Sequence, residues 1–247
     1  MEQGAIAFLD ILGFKGIWQS REPDQVISIL DNVVPRVTQK YQDNLQGQEI
    51  PFKMASPAVT ILSDTVVLVI ESDNPLCLAI LSSVILDLFD YFAEHGLFFR
   101  GAISYGAYVK KGSTFIGPAI DDVATWYQVA DWIGVIATPK TSYRIDRFSA
   151  LTLRFRQIDK AVPCFIKYQV PAKINLPYLY LNSLNWPGYL ETRLAGVPNG
   201  ICGTLKNMQG LFADQAPFNA DVFQKYENTL QYVEFWYKNY GENIRQQ

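Results

Sequence analysis

The tract from Leu76 to Phe92 restricts the fold most, because nearly every residue in it is apolar. A run of that length must be hidden in a bilayer or in a protein interior. Ser82-Ser83, Asp87 and Asp90 interrupt it, which suits a buried helix better than a membrane span. Leu81, Val84, Ile85, Leu88, Phe89 and Phe92 fall on one helical face. Pro75 suits the start of that helix, and Gly96, after His95, suits the position just past its end. A helix of this kind needs other elements to cover it. The 247-residue chain is 49% hydrophobic and 14% aromatic, enough for a sizeable core and unlike a disordered segment.

Around this helix, short apolar runs alternate with helical patterns. Ala5 to Leu9 reads as a buried strand whose C-terminal end carries Asp10. Asp24 to Gln46 is apolar at roughly helical spacing (Val26, Ile29, Leu30, Val33, Val34, Val37) despite Pro35. Ala58 to Ile70 reads as a β-hairpin with the polar tip Ser63-Asp64-Thr65, one continuous strand being the alternative. Leu97 to Val109 is strand-like, with Gly101 and Gly106 as bulges or close approaches. Ile120 to Ile133 suits a short helix closed by Gly134, and Val135 to Thr138 a following strand. Leu151 to Ile158 and Cys164 to Val170 read as strands, and a Pro- and Asn-rich irregular segment follows. An aromatic-rich helix then runs from about Ala220 to Tyr240. This order predicts an α+β fold, with one domain over residues 1–170 and a C-terminal extension, 171–247, packed on it.

Charge and residue counts narrow the function. The chain has 21 basic and 24 acidic residues, a net charge of −3, which argues against a general nucleic-acid or anionic-membrane surface. A small nucleotide gripped by local groups remains compatible with it. The lone His95 makes a His-rich zinc site or a Ser-His-Asp triad a poor reading; at a helix C-terminus it suits the dipole. Cys77, Cys164 and Cys202 form no CxxC pair and are odd in number, so they read as reduced core thiols. Met1-Glu2-Gln3-Gly4 lacks the basic start of a secretory signal, so a cytoplasmic location is expected.

Three places can carry chemistry. In Phe8-Leu9-Asp10-Ile11-Leu12-Gly13-Phe14, an acid ends a buried strand just before a glycine and a helix start. Such a carboxylate can ligate Mg²⁺ or Mn²⁺ while helix N–H groups hold phosphate oxygens; a helix cap is the plainer alternative. Asp64 at the hairpin tip is an ordinary turn residue by itself. Two acids projected from neighbouring strand ends can hold two cations, the arrangement that drives in-line phosphoryl displacement. Arg100, in Phe99-Arg100-Gly101-Ala102, is a charge within an apolar strand and needs a partner. It reads either as a group aimed at phosphate charge or as a solvent-facing residue of an edge strand.

The order of these motifs resembles the class III nucleotide cyclase domain over about residues 5–170. That family carries Phe-x-Asp-Ile-x-Gly-Phe, a Gly-Asp turn, a strand with Arg-x-Gly, and a Gly-x-x-Val-Asn-x-Ala-x-Arg helix. Phe-Arg-Gly-Ala-Ile-Ser-x-Gly and Phe-Ile-Gly-Pro-Ala-Ile-Asp are more narrowly similar to the Pycsar pyrimidine cyclases, bacterial antiphage enzymes that make cyclic UMP or cyclic CMP. The resemblance implies a ferredoxin-like βαββαβ core. It implies that Asp10, Asp64 and the Ile11 carbonyl hold two Mn²⁺ or Mg²⁺ ions per site. The N–H groups around Leu12, Gly13 and Phe14, with Lys167, would receive the triphosphate, and Arg100 would stabilise charge at the reacting phosphate. It further implies a homodimer with its sites at the interface, a cyclic product read by a separate effector, and no direct membrane insertion.

The departures from the purine-cyclase pattern point to the substrate. Thr60 stands where a base-reading lysine is usual, and Phe115 where an acid or threonine is usual. Asp121 and Thr125 replace the helix Asn and Arg, and Asp122 adjoins them. Losing the groups that read a purine favours a pyrimidine triphosphate, with Met54 and Thr60 expected near the base; the Pycsar resemblance implies UTP ahead of CTP. A purine cyclase, and a degenerate domain that binds a nucleotide and regulates a partner, are the alternatives.

Overall fold

The computed structural model describes residues 1–19, 21–46, 54–112, 114–148, 162–173, 179–193, 208–210, 212–213 and 220–241. Its strands are β1 (Glu2–Ile11), β2 (Ala58–Leu62), β3 (Thr65–Glu71), β4 (Phe99–Lys111), β5 (Thr114–Ile116), β6 (Gly134–Ala137), β7 (Phe165–Gln169) and β8 (Tyr180–Leu184). The helices are α1 (Pro23–Asp31), α2 (Val33–Leu45), α3 (Leu76–Glu94), α4 (Pro118–Trp126), α5 (Pro139–Ile145), α6 (Trp186–Arg193) and α7 (Ala220–Trp236). A 3₁₀ turn, Phe14–Gln19, follows β1.

The strands lie in the order β2-β3-β1-β4-β6-β8-β7, with β5 paired to the end of β4. In the first four, every neighbouring pair is antiparallel. Helices α1 and α2 link β1 to β2, and α3 links β3 to β4. This is the expected βαββαβ core. β6 then joins β4 in parallel, and β8 and β7 continue antiparallel, so the sheet is mixed and the fold α+β. β1 is central: Ala5, Ile6, Ala7 and Leu9 are wholly buried, which explains its unbroken apolar run.

α3 fulfils the reading of the Leu76 tract. It is long and apolar enough to cross a membrane, yet most of it is buried within the fold, so it is a core helix. Each buried Leu, Ile or Phe on it contributes about 1.5–3 kcal/mol relative to exposure. His95 is its C-cap, and Gly96 follows with φ 63°, the left-handed conformation expected past a helix end.

Other elements differ from the sequence expectation, each for a physical reason. Residues 24–46 form two helices that break at Asn32. Pro35 has no N–H, and its ring would meet the carbonyl of Asp31, where α1 ends. α4 stops at Trp126, and Gly134 opens β6 instead of closing a helix. The irregular segment contains β8 and α6. β8 lacks apolar alternation because Asn182 and Ser183 are buried in it, so no strand signal was visible. It lies between β6 and β7, and the sheet therefore continues past residue 170. Leu151 to Ile158 and Cys202 lie outside the described residues.

Candidate functional site

Strand order brings the singled-out acids and Arg100 to one end of the sheet. β1 runs toward Asp10, and its antiparallel neighbours β3 and β4 start there, with Asp10 opposite Thr65 on one side and Arg100 on the other. The hairpin turn holds Ser63 at φ 55°, and Asp64 follows it. The Ile11 N–H donates to the Asp64 carbonyl (2.7 Å), and the Leu12 N–H to the Phe98 carbonyl (2.8 Å). The end of β1 is thereby fastened to both neighbouring chains. Gly101 serves the same end: a Cβ there would lie 2.3 Å from the Phe8 carbonyl oxygen, so only glycine lets β4 approach β1 this closely. Gly106 has no such constraint; its nearest neighbour would be 3.4 Å away.

Arg100 is not a solvent-facing residue. It is 7% exposed and Asp10 5%. Its Nε and Nη2 both donate to Asp10 Oδ2, at 2.9 Å each. Its Nη1 donates to the Ala130 carbonyl at 3.4 Å. The charge that needed a partner has one, supplied by the strand beside it. In this buried setting carboxylate and guanidinium face each other at hydrogen-bond distance, so neither is left without a partner.

The donor chemistry fits hard divalent cations. Asp10 Oδ1 has no hydrogen-bond partner among the described residues. Asp64 is half-buried, and among the described residues its Oδ1 meets only the Thr65 hydroxyl, at 3.5 Å. Among the described residues no cluster of three or more His, Cys, Asp or Glu occurs, and the carboxylates singled out at this sheet end are Asp10 and Asp64. That is the sparse oxygen set a small cation takes when water and substrate phosphates complete its shell.

The remaining expected groups divide. Gly13, with φ 75°, and Phe14 lead into the 3₁₀ turn beside Asp10. The Leu12 N–H is already bonded to Phe98 and is not open to a phosphate, a correction to its expected part. Trp18, more than half exposed, stands edge-on to Phe14 at 5.8 Å. Thr60 pairs with Val67, which pairs with Phe8, so alternation puts Thr60 on the sheet face that carries Asp10 and Arg100. Met54 lies beyond the other end of β2, next to Glu71, and the fold does not bring it to the acids of its own chain. Lys167 sits on the outermost strand, β7, bonded to Asp146 (2.8 Å) and Ser142 (3.3 Å). Within one chain it is therefore committed elsewhere. Asp121 is exposed at the start of α4, and its carbonyl accepts from Thr125 (2.8 Å). Asp122 accepts from the buried Thr138 hydroxyl (2.6 Å), tying α4 to α5. Phe115 stacks on Tyr108.

A third cation was invisible in the sequence. The Lys173 N–H donates to the Val129 carbonyl (2.9 Å), and Ala130 bridges Ala172, which sets Lys173 beside the turn that touches Arg100. Burial pushes the Lys173 ammonium below the usual lysine range. Arg100 and Lys225 act in the same direction, and Asp131 and Asp10 oppose them. No spacing along the chain signals this, because the contact is made between two loops.

No family model and no curated protein matches the chain. Among solved structures it is similar to the adenylyl cyclase CyaB from P. aeruginosa, at 11% identity and a TM-score of 0.46, over 74% of this chain and 94% of that one. It is similar to a bacterial light-regulated adenylyl cyclase, at 13% identity and 0.44, over 75% and 91%. A third is the guanylate cyclase domain of RhGC from Catenaria anguillulae in complex with GTP, at 8% identity and 0.41, over 74% and 94%.

Proposed function

We propose that the chain is a pyrimidine nucleotide cyclase. It converts UTP, or less readily CTP, to the 3′,5′-cyclic monophosphate and pyrophosphate. The ribose O3′–Pα bond forms, the bond from Pα to the pyrophosphate oxygen breaks, and the 3′-hydroxyl proton passes to solvent. The observation that carries this reading is the meeting of Asp10, Asp64 and Arg100, distant in sequence, at one sheet end.

Asp10, Asp64 and the Ile11 carbonyl would hold two Mg²⁺ or Mn²⁺ ions; when bound, these supply Lewis acidity toward the hydroxyl and the departing pyrophosphate. Arg100 is a fixed guanidinium in a buried setting, where it stabilises charge growing at the phosphate without reorganising. Lys173 is better supported than Lys167 as the cation facing the polyphosphate of its own chain, since its backbone pairs with the turn that touches Arg100. Of the expected base-reading groups, Met54 is remote from the acids of its own chain. A homodimer in which the partner completes the site answers that shortfall. The cyclic product would act as a cytoplasmic second messenger in antiphage defence, read by a separate effector.

Incubation with Mn²⁺ and each of ATP, GTP, CTP and UTP, with products identified by mass spectrometry, tests the proposal. Cyclic UMP or cyclic CMP is expected. Cyclic AMP or GMP from a purine triphosphate would replace it with a purine cyclase. One observation favours a second reading: the hold of Arg100 on Asp10 Oδ2 suits a domain that binds a nucleotide without turning it over. Saturable triphosphate binding with no product from any of the four would select that reading.

A further inference from the structure

The turn from Ala130 to Ile133 touches Arg100, and it is held from two sides. On one side the Asp131 N–H donates to the Pro171 carbonyl (2.8 Å), beside the Ala130–Ala172 bridge. On the other lies α7, almost a hundred residues away in sequence. Asn228 Nδ2 donates to the Asp131 carbonyl (2.7 Å), and the Ile133 N–H donates to the Thr229 hydroxyl (2.9 Å). Lys225 Nζ lies 3.7 Å from Asp131 Oδ1, and the Tyr232 ring meets that of Trp132 at 4.6 Å.

The two polar residues of α7 are aimed by their own helix. Gln224 donates to Asn228 Oδ1 (3.0 Å), which leaves the Asn228 amide nitrogen facing the turn. The Thr229 hydroxyl donates to the Lys225 carbonyl (2.6 Å), so its lone pairs are what it offers to Ile133. Both residues are buried, so each bond lost would strand a polar group without water. A helix docked only to cover apolar surface has no need of such residues at this one turn.

The consequence falls on Arg100. Its guanidinium has two anchors, Asp10 Oδ2 on one edge and the Ala130 carbonyl on the other. Two anchors fix the plane of the fork, whereas one leaves it free to swing about Asp10. We infer that Asn228 and Thr229 are positioning residues for Arg100: α7 holds the 130–133 turn so that the Ala130 carbonyl keeps the guanidinium fixed beside Asp10. The effect on turnover rests on the cyclase reading; the clamp itself does not.

The test uses the full chain in two measurements. The first is solvent exchange of the Arg100 Nε–H by NMR, its resonance assigned by its loss in Arg100→Lys. Asn228→Ala and Thr229→Val should speed that exchange about tenfold, the equivalent of one hydrogen bond, while Thr229→Ser should leave it near wild type. Thr229→Val is close to isosteric, so the Val and Ser pair carries the test if Asn228→Ala fails to fold. Exchange unchanged in folded Thr229→Val would overturn the clamp, whatever the protein makes. The second is steady-state kinetics, where kcat should fall about tenfold with KM for the triphosphate little changed, and Thr229→Ser should restore it. A rise in KM at constant kcat would overturn the positioning role. Faster exchange in a protein that forms no cyclic product would keep the clamp and remove the cyclase reading instead.

Discussion

Asp10 and Asp64 differ in what they owe to the fold. Asp10 is buried and neutralises a buried guanidinium, while Asp64 is half-buried at a hairpin tip and makes no ion pair among the described residues. Asp10→Asn removes the countercharge and leaves Arg100 uncompensated, which should cost about 3 kcal/mol. Asp64→Asn should cost under about 0.5 kcal/mol, as substitutions away from such features do. Both should abolish cyclic product formation, and urea unfolding beside the activity assay separates the two effects. An Asp64→Asn chain that still cyclises would remove that residue from the site. The placement of these acids was legible in sequence, because an acid ending an apolar run and an acid in a polar hairpin tip are local signals. The Asp10–Arg100 bond was not, since it depends on which strand lies beside β1.

At the scale of elements, two glycines near the site work by different physics. Gly101 sits where β4 and β1 nearly touch, and a methyl added there would lie 2.3 Å from the Phe8 carbonyl oxygen and 2.8 Å from the Leu9 side chain. Gly101→Ala must part the strands, so a loss of at least about 2 kcal/mol is expected, together with weaker contact between Asp10 and Arg100. Gly13 has open space around it but adopts φ 75°. Gly13→Ala should cost only about 1–2 kcal/mol, from backbone strain alone. Thermal unfolding of the two variants, with amide exchange of β1 and β4, distinguishes a parted sheet from a strained turn. If Gly101→Ala proved the milder of the two, the close approach of β1 and β4 would be wrong. The sequence marked Gly101 as a bulge or close approach but also marked Gly106, and only the facing chain separates them.

For the whole molecule, the question is which chain supplies which group. Asp10 and Arg100 face each other within one chain, so an Asp64→Asn chain mixed with an Arg100→Ala chain leaves every site lacking one or the other. Product formation by the mixture should therefore stay at the level of the separate variants. Recovery toward a quarter of wild-type activity would mean that Arg100 serves its partner's acids. If the partner completes the site, activity per chain should also fall on dilution, in step with the dimer measured by sedimentation. Constant specific activity down to concentrations where only monomer remains would remove the dimer from the mechanism.

The sequence by itself determined the buried helix α3, the hairpin that carries Asp64, the acid at the end of β1 and the α+β class. Each is written in local periodicity or turn chemistry, which neighbouring residues suffice to express. Tertiary structure alone decided that Arg100 binds Asp10, that Lys167 is committed to Asp146, and that Lys173 stands beside the turn that touches Arg100. It also inserted β8 into the sheet and brought α7 onto the turn beside Arg100. These are meetings between residues far apart along the chain. Strand order and loop docking bring them about, and no local pattern encodes either.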